Sequence, residues 1–153
     1  MPSAQEVKTF WRFITSSIDR LVACLDDLSE AEINWKPLPN SNSLYILAAH
    51  TLGNTEENIL GTLCGQPVIR KREEEFIAYG GSPELMQRKW AELRERIEAG
   101  LEALSPTSLD EPRNHPRRGA VEGREILIIV ARHTAEHLGQ AELTRDLVLA
   151  RRD

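Results

Sequence analysis

The chain has 153 residues, 41% of them apolar and 28% charged, which suits one globular domain spanning residues 1–153 and excludes wholesale disorder. A net charge of −5, with Arg70-Lys71-Arg72 followed at once by Glu73-Glu74-Glu75, speaks against a nucleic-acid-binding stripe. No run approaches the roughly 20 apolar residues of a membrane span, the N-terminus lacks a secretory h-region, and two cysteines, Cys24 and Cys64, allow at most one disulfide, so a cytoplasmic protein is expected.

Helical periodicity dominates in chain order. Val7, Phe10, Ile14, Ile18, Leu21, Leu25 and Leu28 recur at spacings of three and four, the inner stripe of one long helix. Ser29-Glu30-Ala31-Glu32 is a capping box for a short turn of helix. Trp35 to Asn40 carries two prolines and cannot continue it. A second helix is predicted from a serine cap at 41–43 through Leu44, Leu47, Ala48, Thr51, Leu52, Ile59 and Leu63, ending near Gly65-Gln66-Pro67. Residues 66–81 read as a connection. Ser82-Pro83-Glu84 then starts a third helix with the stripe Met86, Trp90, Leu93, Ile97, Leu101 and Leu104. Residues 105–121, rich in proline, form a second connection, and a fourth helix runs from about Glu122 into the C-terminal residues. No strand is expected. Four amphipathic helices of this length make an all-α four-helix bundle the natural architecture.

On a wheel of the fourth helix, Ile126, Ile129, Val130, His133, His137, Gln140, Thr144, Leu147 and Val148 share one face. The reading places His133 and His137, four residues apart, in the middle of the core-facing stripe. Two imidazoles there cannot easily both be charged, yet each neutral ring carries a donor and an acceptor that need partners. A divalent cation resolves this by taking one nitrogen from each ring; hydrogen bonds to core side chains are the alternative. His50, on the flank of the second helix, is the expected third ligand, and His115, in the proline-rich connection, is not. Three imidazoles leave positions open for water or substrate, as in catalytic sites. They suit zinc or nickel first, with iron and copper as further candidates. Gln140, one turn beyond His137, Asn54, one turn beyond His50, and Glu136 are candidate pocket or supporting residues. His133-Thr134-Ala135-Glu136-His137 also fits H-x-x-E-H, but a peptidase of that type needs an acidic ligand from a later helix, and only sixteen residues follow His137.

The chain resembles the DinB-like superfamily, also called the DinB/YfiT-like metalloenzymes. The resemblance rests on Leu28 to Pro37, on Asn42-Ser43-Leu44 leading to His50, on Arg72 to Phe76 ahead of Gly80-Gly81, and on His133 to Gln140. It implies a four-helix bundle with a metal held by one histidine of the second helix and two of the fourth, which are His50, His133 and His137 here. It also implies an activity: characterised relatives include metal-dependent transferases of low-molecular-weight thiols such as mycothiol or bacillithiol.

The expected partner is therefore a small-molecule substrate, such as a low-molecular-weight thiol transferred to an electrophile, in a chain that forms a homodimer. Metal-assisted hydrolysis is a variant of this reading, and a non-catalytic dimerising helical module with a remnant metal site is the alternative. Residues 66–81 and 105–121 are expected to border the metal. Arg70, Arg72, Arg113, Arg117 and Arg118 would there meet the carboxylate of a thiol cosubstrate, since arginine offers a planar fork.

Overall fold

The computed structural model describes residues 2–152. These are mostly helical. Helix α1 runs Pro2–Ala23, α2 Glu30–Ile33, α3 Leu44–Thr55, α4 Arg72–Glu75, α5 Glu84–Glu102 and α6 Gly123–Ala150. A π-helical segment, Glu56–Leu63, continues α3, and two short strands, β1 (Pro112–His115) and β2 (Gly119–Glu122), lie between α5 and α6.

The stripe of α1 is buried as its spacing predicts, with Ile14, Ile18, Leu21 and Leu25 fully enclosed; each such side chain contributes about 1.5–3 kcal/mol relative to exposure. The helix itself stops at Ala23, short of Leu28. Its winding tightens there: the Leu25 and Asp26 amides donate to the Val22 and Ala23 carbonyls three residues back, and Asp27 takes a positive φ of 60°. Arg145 of α6 donates to the carbonyls of Cys24 and Asp26, so this frayed end is capped across the core. The capping box of α2 is present in both directions, Ser29 N–H to Glu32 Oε2 at 2.7 Å and Glu32 N–H to Ser29 Oγ at 3.3 Å. Ser43 caps α3 by accepting from the Ile46 amide.

The second predicted helix, 41–63, thus appears as α3 plus the π segment. Asn58 Nδ2 donates to the Asn54 carbonyl and Thr62 Oγ1 to that of Glu57, so polar side chains stabilise the irregular turns from within.

The expectation of no strand is corrected by the hairpin. It pairs antiparallel from Pro112↔Glu122 to His115↔Gly119, and Gly119 at φ 73° closes the three-residue turn in a conformation that favours glycine. Each strand buries only one residue, His115 and Val121, so neither carries a readable alternation.

Helix α6 packs along α1 on one side and along α3 and the π segment on the other; α5 closes the core against α3, the π segment and α1, and the hairpin lies on the π segment. No helix among the described residues is long and apolar enough to cross a membrane.

Candidate metal centre

His50 points from α3, and His133 and His137 from α6, into the seam between these two elements. Their ligand-capable nitrogens all lie within 4.8 Å of one another. His133 Nε2 is 3.0 Å from His50 Nε2 and 3.1 Å from His137 Nε2. The sequence-based placement of the rings is corrected in one respect. The core stripe of α6 runs through Ile126, Val130, Thr134, Leu138, Ala141 and Thr144. His133 and His137 flank it, half-buried, on the edge that faces α3, while Leu147 is exposed. His50, expected on a flank, is the buried member, 7% exposed.

The second nitrogen of each ring settles what the first can do. His50 Nδ1 lies 3.0 Å from Glu75 Oε1. A carboxylate only accepts, so Nδ1 carries the proton and Nε2 keeps its lone pair; Arg70 Nη2, at 3.4 Å from the same nitrogen, is the weaker contact. His137 Nδ1 lies 2.8 Å from Gln140 Oε1, which gives that ring the same tautomer. His133 Nδ1 is buried without a partner. Three Nε2 atoms therefore converge with at most one proton among them.

Two nitrogens about 2.0–2.1 Å from a shared ion stand roughly 2.9–3.4 Å apart, and the observed separations fall in that range. The residues fit a divalent cation. Burial first, and then the neighbouring imidazoles, push His133 down to about 3. Burial also lowers His137, against the opposing contact with Gln140. Both rings are therefore neutral ligands at ordinary pH.

Behind His50 lies a charged network that sequence reasoning missed. Glu75 accepts from Arg70 Nε at 2.8 Å through Oε2 and from Nη2 at 2.8 Å through Oε1. Arg70 also reaches Glu57, which in turn binds Arg117 at the hairpin turn. Burial raises the Glu75 carboxyl, but Arg70 and His50 outweigh it and hold it below the usual carboxylate range. Phe76 covers the His50 ring at 4.8 Å between centroids, and the Arg72 guanidinium stacks on Phe76 at 4.9 Å.

Other predicted positions fall elsewhere. Asn54 is buried with Oδ1 unpartnered. Glu136 is exposed and paired with Arg132 on its own helix. Arg70 is almost fully enclosed and committed to Glu75 and Glu57, and Arg113 donates to the Leu63 carbonyl and to Glu111. Arg118 is exposed in the hairpin turn. His115 stands apart from the cluster: Nδ1 accepts from the Arg117 amide, and Nε2 donates to Asn58 Oδ1 at 2.9 Å. A cavity of about 450 Å3 between α3, α4 and α5 borders Gly53 and Glu75 and is lined by none of the three histidines. Another, of about 480 Å3, lies between α1 and the end of α5, lined by Trp11 and Leu101 and by none of the three histidines.

Fold and site together define a mostly helical protein with a three-histidine cluster able to hold a metal ion. A model of the DinB superfamily matches residues 14–141, and the chain belongs to that superfamily. Two solved structures share the fold. One is a conserved protein from Enterococcus faecalis, with a TM-score of 0.77, 18% identity, and coverage of 94% of this chain and 96% of that one. The other is a DinB-like protein from Bacillus cereus, with a TM-score of 0.70, 16% identity, and coverage of 90% and 89%. A comparison with curated proteins finds no match.

Proposed function

We propose that this chain is a four-helix-bundle metalloenzyme of the DinB/YfiT-like type, which holds a divalent cation at His50, His133 and His137 and transfers a low-molecular-weight thiol to an electrophile. The observation that carries the proposal is the convergence of three Nε2 atoms, two of them left unprotonated by Glu75 and Gln140. Three protein ligands, where a closed structural zinc site takes four, favour an enzyme over a remnant site. A bound divalent cation would supply the acidity that keeps a coordinating thiol as its thiolate, with no separate base.

The chain's own residues do the rest. His50 and His137 present lone pairs because their Nδ1–H groups are held by Glu75 and Gln140. Phe76 shields His50 from water on one face. The protein's own thiols are poor nucleophiles: burial pushes Cys64 up to about 11 and raises Cys24. The reacting thiol therefore comes from a cosubstrate. Hydrolysis is less well served, because the nearby carboxylates are already engaged, Glu75 by His50 and Arg70 and Glu136 by Arg132. A cytoplasmic location and a homodimer belong to the same proposal, and two free cysteines suit a reducing compartment.

Elemental analysis of the purified protein, joined to a screen of thiols against electrophiles, tests the reading. One equivalent of metal and metal-dependent thiol consumption are expected. Metal-free protein that takes up no added zinc, nickel, iron or copper overturns it.

A further inference from the structure

Residues 70–75 read as a solvated charge run, and Lys71, Arg72, Glu73 and Glu74 are indeed exposed. Glu75 turns inward with Arg70, its side chain 11% exposed, between His50 Nδ1 and the Arg70 guanidinium. It fits there because position 53 has no side chain. A Cβ on Gly53 would lie 2.1 Å from Glu75 Oε2 and 2.8 Å from its Cδ, and 3.4 Å from Arg70 Nε. A glycine in the interior of α3 weakens that helix, so its presence beneath a carboxylate that contacts a candidate ligand calls for a reason.

We infer that Glu75, clamped by Arg70 in the space left by Gly53, is a positioning residue for the ion-binding nitrogen of His50, and that docking of α4 on α3 and loading of the site with a divalent cation strengthen one another. The inference rests on the three-histidine metal site proposed above. Physically, an acceptor on Nδ1–H fixes both the tautomer and the rotation of the ring, and a charged acceptor raises the basicity of Nε2. Binding free energies are reciprocal, so whatever α4 contributes to cation affinity, the cation returns to α4 docking. The contacts from Arg70 to Glu57 and from Glu57 to Arg117 carry the same coupling to the hairpin turn.

Two variants and one measurement on the unaltered protein test this. Glu75→Gln keeps a carbonyl acceptor of similar size and removes the charge. Gly53→Ala leaves both charged residues in place and displaces the carboxylate by contact alone. Zinc affinity is read by competition with a chromogenic chelator, and ligand geometry by the visible bands of the cobalt(II) form. Both variants should still bind one equivalent, about 10–100-fold more weakly, with shifted cobalt bands. In the unaltered protein, zinc should slow amide exchange across residues 66–81 by about tenfold. A purely structural Glu75 predicts a lower melting temperature without metal, but unchanged affinity and cobalt bands in the folded variants; that result overturns the inference. So does exchange in residues 66–81 that ignores zinc. Unaltered protein that binds no zinc overturns the metal site itself, a distinct outcome from variants that bind as well as it does.

Discussion

Two histidine environments meet the irregular α3–π column, one at His50 and one at Asn58, and they differ in what they leave unsatisfied. At the hairpin, His115 is 5% exposed, and both of its nitrogens find protein partners, the Arg117 amide and Asn58. Between α3 and α6, three rings turn one nitrogen each toward a common point, with at most one proton among them. The first environment is complete as the chain supplies it. The second has surplus lone pairs that a shared cation would satisfy. Histidine burial alone therefore does not mark a metal site; the balance of donors and acceptors around the ring does.

The comparison breaks most sharply at His133. His133→Ala should abolish stoichiometric zinc binding while leaving the protein folded, measured by elemental analysis beside circular dichroism. His115→Ala should do the reverse. It leaves Asn58 Oδ1 and the Arg117 amide without partners, so stability should fall by about 1–3 kcal/mol with zinc binding retained.

Acid should separate the metal-free and loaded forms. The folded state holds His133 down to about 3 and lowers His137 as well. An unfolded histidine accepts a proton near 6.5. Below 6.5 the unfolded state therefore binds more protons than the folded one, and stability falls as pH drops. His133 alone contributes a slope of about 1.4 kcal/mol per pH unit in the window between 6.5 and about 3. Denaturant midpoints of metal-free protein from pH 7 to 4 measure this. A flat profile would mean that the imidazoles are not held neutral. While the protein stays folded, protons at His133 should compete with zinc only as pH approaches about 3, since coordination requires unprotonated rings.

The charged wall behind His50 is the next test. Arg70→Met leaves Glu75 and Glu57 enclosed with one cation fewer, which should cost about 3–5 kcal/mol by chemical denaturation. The exposed pair Arg132–Glu136, on the far side of the same ligand cluster, offers the contrast. Arg132→Ala should change stability by no more than about 1 kcal/mol.

How much of this was legible follows from where the information lies. The helix pattern of α1, α5 and α6 is local, and His133 and His137 were readable as a pair because helical geometry alone puts residues four apart on one face. Their displacement from the centre of the stripe was not readable, since it depends on which neighbour α6 meets on each side. Glu75 was hidden in a run of six charged residues, 70–75, of which four face solvent. Nothing local separates the inward two, Arg70 and Glu75, although Gly53 and His50 three residues before it were both visible. The π winding left no signal of its own, because Ile59 and Leu63 continue the helical stripe of α3 while Asn58 and Thr62 bury polar groups beside it. The hairpin buries one residue per strand, too few for a pattern.

The smallest expected effect on the metal centre belongs to Gln140. It supports His137 as Glu75 supports His50, through Nδ1 at 2.8 Å, but it is neutral and exposed. A neutral acceptor orients the ring without adding charge, and water can take its place at an exposed position. Gln140→Ala should therefore weaken zinc by about tenfold at most, the low end of what such supporting contacts contribute, with stability unchanged. Gln140→Glu, which gives His137 the kind of partner His50 already has, should recover or exceed the original affinity. If Gln140→Ala weakens zinc as much as Glu75→Gln does, the asymmetry between the two walls of the site is wrong, and His137 rather than His50 is the ligand whose orientation the protein guards.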